Sequence, residues 1–278
     1  MKKYTIILAI NFLLVSCMAT AHQLDNEYAK AFTDLIELVY GPELLSQGGT
    51  QSIDLLFEGQ ELNGKKVLDI GSGLGGVDFY IAKKFAVDVT GIDCVQRMVN
   101  DAHNRIAKQV LQGAVHFMHQ EPEVVTYPFA DNTFDIVFSK EAFLHIPNKA
   151  PLIKEIYRVL KPGGQLIILD WLVDSPNLGA LVTEMMVVDG LDFHMATIGE
   201  YQSFCKQAGF AFESVSVLND LYAKFCSDNI ATIQIKHKEL IELFGQETYE
   251  YCLKIWALQK EIFEKGEVLV TLLKATKV

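Results

Sequence analysis

Short apolar runs alternate with amphipathic segments through the middle of the chain. The runs that we interpret as strands are Val67–Ile70, Val87–Ile92, Val115–Met118, Phe134–Ser139 and Gln165–Asp170. Apolar residues at helical spacing predict helices over residues 77–84 and 148–160. Strands that alternate with helices are joined by crossover connections, which make neighbouring strands parallel. This region therefore predicts an α/β fold, with a mostly parallel sheet covered by helices on both faces.

Helical patterns dominate the two flanks of this region. Before it, they predict helices over residues 24–40 and 51–57. After it, the pattern predicts a helix over residues 198–208, a strand over 212–218, a helical stretch over 220–265 and a last strand over 267–276. We therefore expect one domain over residues 24–278. Its lid helices would occupy residues 24–58, and its helical cap would occupy residues 171–196 and 219–266.

The first seventeen residues do not fit the globular pattern. Two lysines precede a mostly apolar run that ends in Leu14-Val15-Ser16-Cys17, which is similar to a secretory signal with a bacterial lipobox. In that case Cys17 would be lipidated and would anchor the protein to the cell envelope. The alternative is a cytoplasmic protein that begins near Met18.

Composition and charge narrow the classes of partner. The chain has 278 residues and a formal net charge of −11, without a dense run of Lys or Arg, so nucleic acid is not expected as its main partner. Its five cysteines include no C-x-x-C pair, which argues against a structural zinc site and gives no sign of a disulfide framework. We expect a monomer that acts on a small molecule without a metal, and that contacts a membrane only if Cys17 is lipidated.

A glycine-rich turn follows the first predicted strand. Gly71, Gly73 and Gly75 would let the backbone turn tightly and leave room for a ligand. Asp93 ends the second strand, where a carboxylate can accept hydrogen bonds from both hydroxyls of an adenosine ribose. The turn also satisfies G-x-G-x-x-G, so alone it does not separate a dinucleotide from another adenosine cofactor. A turn without a ligand, and an aspartate that merely ends a strand, remain the alternatives.

Two further features favour S-adenosylmethionine over a nicotinamide cofactor. Asp69 stands two residues before Gly71, where its carboxylate can face the charged methionine end of the cofactor. The segments 160–170 and 129–137 resemble the fifth-strand turn and the fourth-strand entry of class I methyltransferases. The resemblance implies the class I, Rossmann-like fold with seven strands.

Several segments together resemble the small phosphoethanolamine N-methyltransferases. They are residues 40–49, 67–76, 91–93, 139–145 and 274–277, together with Trp256 on the last predicted helix. By this resemblance, the residues along the cofactor would be Ser46, Asp69, Gly71, Asp93, Cys94 and Lys140, with Glu121 near the adenine amine. Tyr28 and His145 match the pair that couples lid closure to catalysis, and Glu141 matches an acidic residue near the substrate amine. Tyr28 could instead be a core residue of its helix, and His145 a structural histidine.

The chemistry of methyl transfer to an amine gives these residues their expected roles. An amine is protonated at neutral pH, and His145, directly or through water, would remove that proton. Glu141 would hold the amine, and the aromatic faces of Trp171 or Phe193 would tolerate a quaternary ammonium product.

The sequence departs from the family where the phosphate would bind. In that family the phosphate is held by an Arg, a Tyr and a Lys, whose positions are occupied here by Leu191, Phe193 and Gln259. We therefore expect phosphoethanolamine to be a poor substrate and a less charged, more apolar amine to be preferred. Three alternatives remain: an O- or C-methyltransferase, a cofactor-binding envelope lipoprotein without activity and, third, a nicotinamide-dependent oxidoreductase.

Overall fold

The computed structural model describes residues 30–122, 124, 126–190 and 193–278. The strands are β1 (Lys66–Ile70), β2 (Asp88–Asp93), β3 (Ala114–His119), β4 (Phe134–Lys140), β5 (Leu160–Leu172), β6 (Phe210–Val217) and β7 (Leu269–Lys277). The helices are α1 (Lys30–Tyr40), α2 (Gly49–Leu56), α3 (Gly76–Lys84), α4 (Gln96–Ile106), α5 (Lys149–Val159), α6 (Ala180–Asp189), α7 (Ile198–Ala208), α8 (Asn219–Ile235), α9 (His237–Phe244) and α10 (Gln246–Lys265). A single 3-10 turn, Phe143–His145, follows β4.

The seven strands form one sheet in the order β3-β2-β1-β4-β5-β7-β6. The first five strands in this order are parallel, and β7 runs antiparallel to both β5 and β6. Side chains of the central strands are buried on both faces of the sheet, which explains why these strands are nearly continuous apolar runs. The predicted mostly parallel seven-stranded sheet is confirmed. Its strand order reverses between β1 and β4, and ligands bind at such points in open parallel sheets.

Several elements differ from the sequence-based expectation. Helix α4 was not predicted, α6 lies within the expected helical cap over residues 171–196, and the expected helical stretch over residues 220–265 is divided into α8, α9 and α10. Helix α4 has only three buried side chains on an otherwise polar segment, so its apolar signal is short. The break between α9 and α10 falls at Gly245, whose φ of 93° cannot continue a right-handed helix.

A helical layer covers the carboxyl end of the central strands. Helix α8 packs along α10, α6 packs on α10, and α1 contacts both α8 and α9. Residues 1–29 lie outside the described residues, and so do the expected lipidation site Cys17 and the expected catalytic Tyr28. Within the described ranges, no helix is both long enough and apolar enough to cross a membrane.

Candidate active site

The glycine turn after β1 lies against the loop that follows β4. Gly71 has a φ of 86°, and a Cβ atom placed on it would lie 2.3 Å from the Cβ atom of Ala142. Gly75 precedes α3 with a φ of 81°, and a Cβ atom there would lie 2.4 Å from Phe117. Gly73 also has a positive φ, of 54°. Glycine is therefore required in this turn by backbone conformation and by the lack of space for a side chain.

Asp93 connects the end of β2 to the glycine turn. Its two carboxylate oxygens accept hydrogen bonds from the backbone N–H groups of Gly73 (2.8 Å) and Val95 (2.9 Å). Burial raises the pKa of Asp93, whereas these two hydrogen bonds lower it. Cys94 is half-buried beside Asp93, and its carbonyl oxygen lies 3.0 Å from Nε2 of His119. Asp93 and Cys94 thus lie at the same edge of the sheet as the turn.

Buried polar groups lie in and next to the glycine turn. Oγ of Ser72 has no hydrogen-bond partner among the described residues, and Oδ1 of Asp69 and both carboxylate oxygens of Asp78 accept from no other side chain there, although the two carboxyl groups are close enough to share a proton. Burial, and next the neighbouring carboxylate of Asp78, raise the pKa of Asp69. An acceptor buried without a donor is destabilising. The glycine cradle and these buried oxygens fit a cofactor with a cationic amine and ribose hydroxyls.

Lys140 joins the end of β4 to the loop that follows α1. Its ammonium group donates to Oγ of Ser46 (2.6 Å), to the carbonyl oxygen of Gln47 (2.9 Å) and to Oε1 of Glu141 (2.9 Å). The hydroxyl of Tyr222 on α8 also donates to Oε1 of Glu141 (2.7 Å). Three of the predicted site residues, Ser46, Lys140 and Glu141, are therefore in direct contact.

Glu141 has an unusual backbone conformation for its residue type. Its φ is 55°, in the left-handed region, where a non-glycine residue costs about 1–3 kcal/mol. The contacts with Lys140 and Tyr222 hold its side chain, which is only 8% exposed. Its Oε2 atom accepts no hydrogen bond from any described residue. Strain of this kind is concentrated at functional sites, where a fixed side-chain position is part of the function.

A cavity of about 110 Å³ lies between the helical layer and the end of β4. Its lining residues are Phe32, Leu35, Ile36, Tyr40, Leu45, Ser46, Gln47, Glu141, Leu144, His145, Trp171, Asp189, Phe193, Tyr251, Ile255, Trp256 and Gln259. The lining is mostly apolar and aromatic, with a few polar groups, which is the usual character of a small-molecule site. The expected substrate residues Glu141, His145, Trp171 and Phe193 all line this cavity.

His145 ends the 3-10 turn that follows Glu141. The turn is fixed by hydrogen bonds from the Leu144 N–H to Oδ1 of Asp170 (3.3 Å) and from the His194 N–H to the Leu144 carbonyl oxygen (2.6 Å). Burial lowers the pKa of His145 to about 4, and the nearby His194 and Lys149 lower it further. The imidazole is therefore uncharged at neutral pH.

Aromatic rings form one wall of the cavity. The ring centroid of Phe193 lies 5.3 Å from that of His145 and 6.0 Å from that of Trp171. The indole N–H of Trp171 is buried and has no partner among the described residues. On another side, the Trp256 N–H lies 3.2 Å from the Tyr40 hydroxyl, to which it donates. The aromatic rings of this wall can therefore stack on an organic cation.

The side-chain oxygen of Gln259 is hydrogen-bonded within the protein. Gln259 is 9% exposed, and its Oε1 atom accepts a hydrogen bond of 2.8 Å from Nε2 of Gln47. Of the other two positions at which we expected phosphate contacts to be lost, Phe193 offers no hydrogen bond and Leu191 lies outside the described residues. The charged carboxyl groups in the cavity wall are Glu141 and Asp189.

Glu121 is an expected cofactor residue that, within the described part of the chain, forms no hydrogen bond or ion pair with the glycine turn or with Asp93. Its side chain is 56% exposed and its Oε1 atom lies 3.8 Å from Nδ1 of His119, beyond the end of β3. It does not line the cavity. Its expected role beside an adenine amine therefore remains a prediction.

Sequence patterns missed several residues of the site. Gln47, Asp78, Asp189, Tyr222 and Tyr251 lie at the cavity or beneath the glycine turn. A signal was present for Tyr222, which falls on the buried face of its helix, but nothing in the sequence indicated that its hydroxyl reaches Glu141. Over the described ranges, no group of three or more His, Cys, Asp or Glu residues could hold a metal ion, and the expectation of a reaction without metal stays a prediction.

The strand order and the glycine turn after β1 define the class I, Rossmann-like methyltransferase fold. Residues 68–168 match the family described as a methyltransferase domain. This segment includes the glycine turn, Asp93, Lys140, Glu141 and His145.

The relatives include phosphoethanolamine N-methyltransferases, the family that the sequence segments resemble. The chain is 30% identical over 240 residues to phosphoethanolamine N-methyltransferase 1 of Arabidopsis thaliana, covering 86% of this chain and 48% of that protein. It is 28% identical over 229 residues to phosphoethanolamine N-methyltransferase of Plasmodium falciparum, covering 81% of this chain and 84% of that protein. The chain thus spans about half the length of the plant relative.

A solved structure shares the fold over most of the chain. Phosphoethanolamine N-methyltransferase 2 of Haemonchus contortus, in complex with phosphomonomethylethanolamine and S-adenosylhomocysteine, superposes with a TM-score of 0.83 at 24% identity. The match covers 91% of this chain and 59% of that one. The predicted class I fold and the resemblance to the phosphoethanolamine N-methyltransferases are confirmed.

Proposed function

We propose that this protein transfers a methyl group from S-adenosylmethionine to the nitrogen of a small amine that carries no phosphate. The observation that carries the proposal is the cavity itself. Glu141 and His145 lie in its wall next to the glycine cradle, and the described lining residues include neither Lys nor Arg. The named relatives act on a phosphorylated amine, whereas none of the described lining residues is a Lys or Arg that could neutralise a phosphate dianion, and the Lys140 ammonium behind them is already hydrogen-bonded to Ser46, Gln47 and Glu141.

The residues beneath and beside the glycine turn would hold the cofactor. Asp69 is buried beside Asp78 without a cationic partner and would accept hydrogen bonds from the cofactor's amine. Asp93 would accept from the ribose hydroxyls with the lone pairs that Gly73 and Val95 leave unused. Lys140 and Ser46 would fix the loop that closes over the methionine end. S-adenosylmethionine, when bound, supplies a methyl group that its positively charged sulfur has already activated.

The remaining work is to orient an uncharged amine and to exclude water. The open Oε2 atom of Glu141 would accept a hydrogen bond from the substrate nitrogen. His145 is uncharged at neutral pH and so can accept the ammonium proton before methyl transfer, but burial lowers its pKa to about 4 and makes it a weaker base than a free imidazole, so the proton would pass on to water. Phe193 and Trp171 would stack on the methylated, cationic product. Tyr28 would close the lid over His145, a role that the resemblance implies.

Location and assembly stay predictions. We expect a monomer in the cytoplasm, because S-adenosylmethionine is made there; the alternative is an envelope lipoprotein anchored through Cys17. Mass spectrometry of the N-terminus of the native protein separates the two, since an acylated Cys17 would contradict the cytoplasmic prediction.

A side-by-side kinetic assay tests the proposed substrate class. Formation of S-adenosylhomocysteine should be efficient with one or more unphosphorylated amines and should be hundreds-fold less efficient with phosphoethanolamine. The expected ratio follows from the loss of two charged hydrogen bonds at about 1.5–3 kcal/mol each. Efficient use of micromolar phosphoethanolamine would show that other residues hold the phosphate. Turnover with phenols or activated carbon acids but with no amine would favour the O- or C-methyltransferase alternative.

A further inference from the structure

Asp189 is a second carboxyl group in the cavity wall, and the proposed mechanism does not use it. It is the last residue of α6, and one of its oxygens, Oδ1, accepts a hydrogen bond from the hydroxyl of Tyr251 on α10. Among the described residues, Asp189 forms no ion pair, and its Oδ2 atom accepts no hydrogen bond. Asp189 therefore has an acceptor available to whatever occupies the cavity.

Asp189 has no counter-charge among the described residues of the cavity wall. These lining residues include no Lys or Arg. Asp189 also lies at the C-terminus of α6, where the helix dipole disfavours a negative charge. Burial raises the pKa of Asp189 to about 6, and the hydrogen bond from Tyr251 only partly offsets this effect. A hydrogen-bond donor on the ligand would relieve a carboxylate in this position.

Trp171 gives an independent indication of what the ligand carries. Trp171 is only 6% exposed. Its indole N–H can only donate a hydrogen bond, and it has no acceptor among the described residues. Trp171 lines the same cavity of about 110 Å³ as Asp189. The residues that line the cavity thus include one acceptor without a donor, on Asp189, and one buried donor without an acceptor, on Trp171, in addition to the groups that would hold the reacting amine.

A hydroxyl group matches this pair of needs. It donates one hydrogen bond and accepts others, whereas an ammonium group only donates and a phosphate dianion only accepts. A phosphate would also be repelled by Asp189, and an alkyl group would leave both protein groups unpaired, which is destabilising. The small volume favours a short substrate.

We propose that the methyl acceptor is a short amino alcohol, whose hydroxyl group donates to Asp189 and accepts from the indole N–H of Trp171 while its amine faces Glu141 and His145. This proposal rests on the proposed N-methyltransferase function and specifies its substrate. Asp189 and Trp171 are then the residues that determine substrate specificity.

The test compares amino alcohols of two to four carbons with alkylamines and diamines of equal length, by the ratio of their kcat/KM values. The wild-type protein should prefer the amino alcohol over the alkylamine by about 10- to 100-fold. This ratio is expected for two hydrogen bonds of the hydroxyl group, one to the carboxylate of Asp189 and one to the indole N–H of Trp171. Asp189→Asn and Trp171→Phe should each bring this ratio toward one. Asp189→Asn preserves the shape of the side chain, whereas Trp171→Phe also removes part of the ring and leaves space. A purely structural defect in either variant would lower the two kcat/KM values together without changing their ratio. Asp174→Asn, a matched change at an exposed position, should leave the ratio at its wild-type value.

The possible contrary results separate the two levels of the argument. Equal kcat/KM values for amino alcohol and alkylamine in the wild-type protein would overturn the role of the hydroxyl group and leave the N-methyltransferase function standing. The role of the hydroxyl group would also be overturned if the wild type preferred the diamine and Asp189→Asn, but not Trp171→Phe, abolished that preference. Recognition would then depend on the charge of Asp189. If no amine of any type is methylated while S-adenosylhomocysteine binds, the proposed function itself fails.

Discussion

Replacing Gly71 by alanine should disturb both the cofactor turn and the loop that carries the proposed catalytic residues. The new Cβ atom would lie 2.3 Å from the Cβ atom of Ala142, and the backbone φ of 86° is unfavourable for alanine. The conformational cost of a left-handed alanine is about 1–2 kcal/mol. Overpacking adds about 1–3 kcal/mol, because the clash involves a short side chain that cannot turn away. The total expected loss of unfolding free energy is therefore about 2–5 kcal/mol.

Gly64 provides a matched control for the backbone contribution. Its φ is 72°, close to that of Gly71, and a Cβ atom there would meet nothing within 4 Å. Gly64→Ala should therefore cost only the conformational part, about 1–2 kcal/mol. Ala142→Gly, introduced into the Gly71→Ala protein, removes the atom that clashes and should restore most of the difference between the two single variants.

Urea-induced unfolding of these variants and calorimetric titration with S-adenosylhomocysteine test the argument. Gly71→Ala should lose more stability than Gly64→Ala, and it alone should also bind the ligand more weakly. Equal losses in the two variants, or a double variant that is no more stable than Gly71→Ala, would refute the proposed contact between the turn and the loop after β4.

Three further predictions concern single groups of the site. Asp93→Ala should weaken S-adenosylhomocysteine binding, since charge-assisted hydrogen bonds contribute about 1.5–3 kcal/mol each, and unchanged affinity in a folded variant would remove Asp93 from the site. His145→Ala should lower turnover by roughly 10²–10⁴-fold with nearly intact cofactor affinity, and Tyr28→Phe should act in the same direction more weakly; equal turnover of wild type and His145→Ala from about pH 6 to 9 would contradict the role as a base. Burial raises the pKa of Asp170 to about 7, so the folded protein retains a proton that the unfolded chain has lost. Its contribution to stability is full below about pH 4 and is lost as the pH rises through about 7. When the pH rises from about 5 to 8, the unfolding free energy of the wild type should therefore fall by about 2–3 kcal/mol more than that of Asp170→Asn. Identical pH profiles of the two proteins in urea unfolding would contradict the role of Asp170.

The parallel sheet and the glycine turn could be predicted because each depends on local sequence. The strands are buried on both faces, so they appear as uninterrupted apolar runs such as Val67–Ile70. The turn requires residues that tolerate positive φ, and the prediction of Gly71, Gly73 and Gly75 followed from that requirement. Helix α4 was missed because only one narrow side of it is buried.

The polar contacts of the site could not be predicted, because they join residues that are far apart in the sequence. Gln47 and Gln259 are separated by 212 residues, and their hydrogen bond occupies an amide oxygen that the sequence alone left available to a ligand. Asp189 and Tyr251 meet only because α6 packs on α10. Such pairs have no periodic signal, since they depend on how the helical layer packs over the sheet.

The central claim is the transfer of a methyl group to the nitrogen of an unphosphorylated amine, and isotope tracing tests it most directly. The purified protein would be incubated with S-adenosylmethionine labelled with ¹³C in the methyl group and with an amino alcohol, and the product would be examined by NMR and mass spectrometry. We predict a labelled methyl group bound to nitrogen and equimolar S-adenosylhomocysteine. Label on oxygen or carbon, or binding of S-adenosylhomocysteine without methylation of any amine, would contradict the claim.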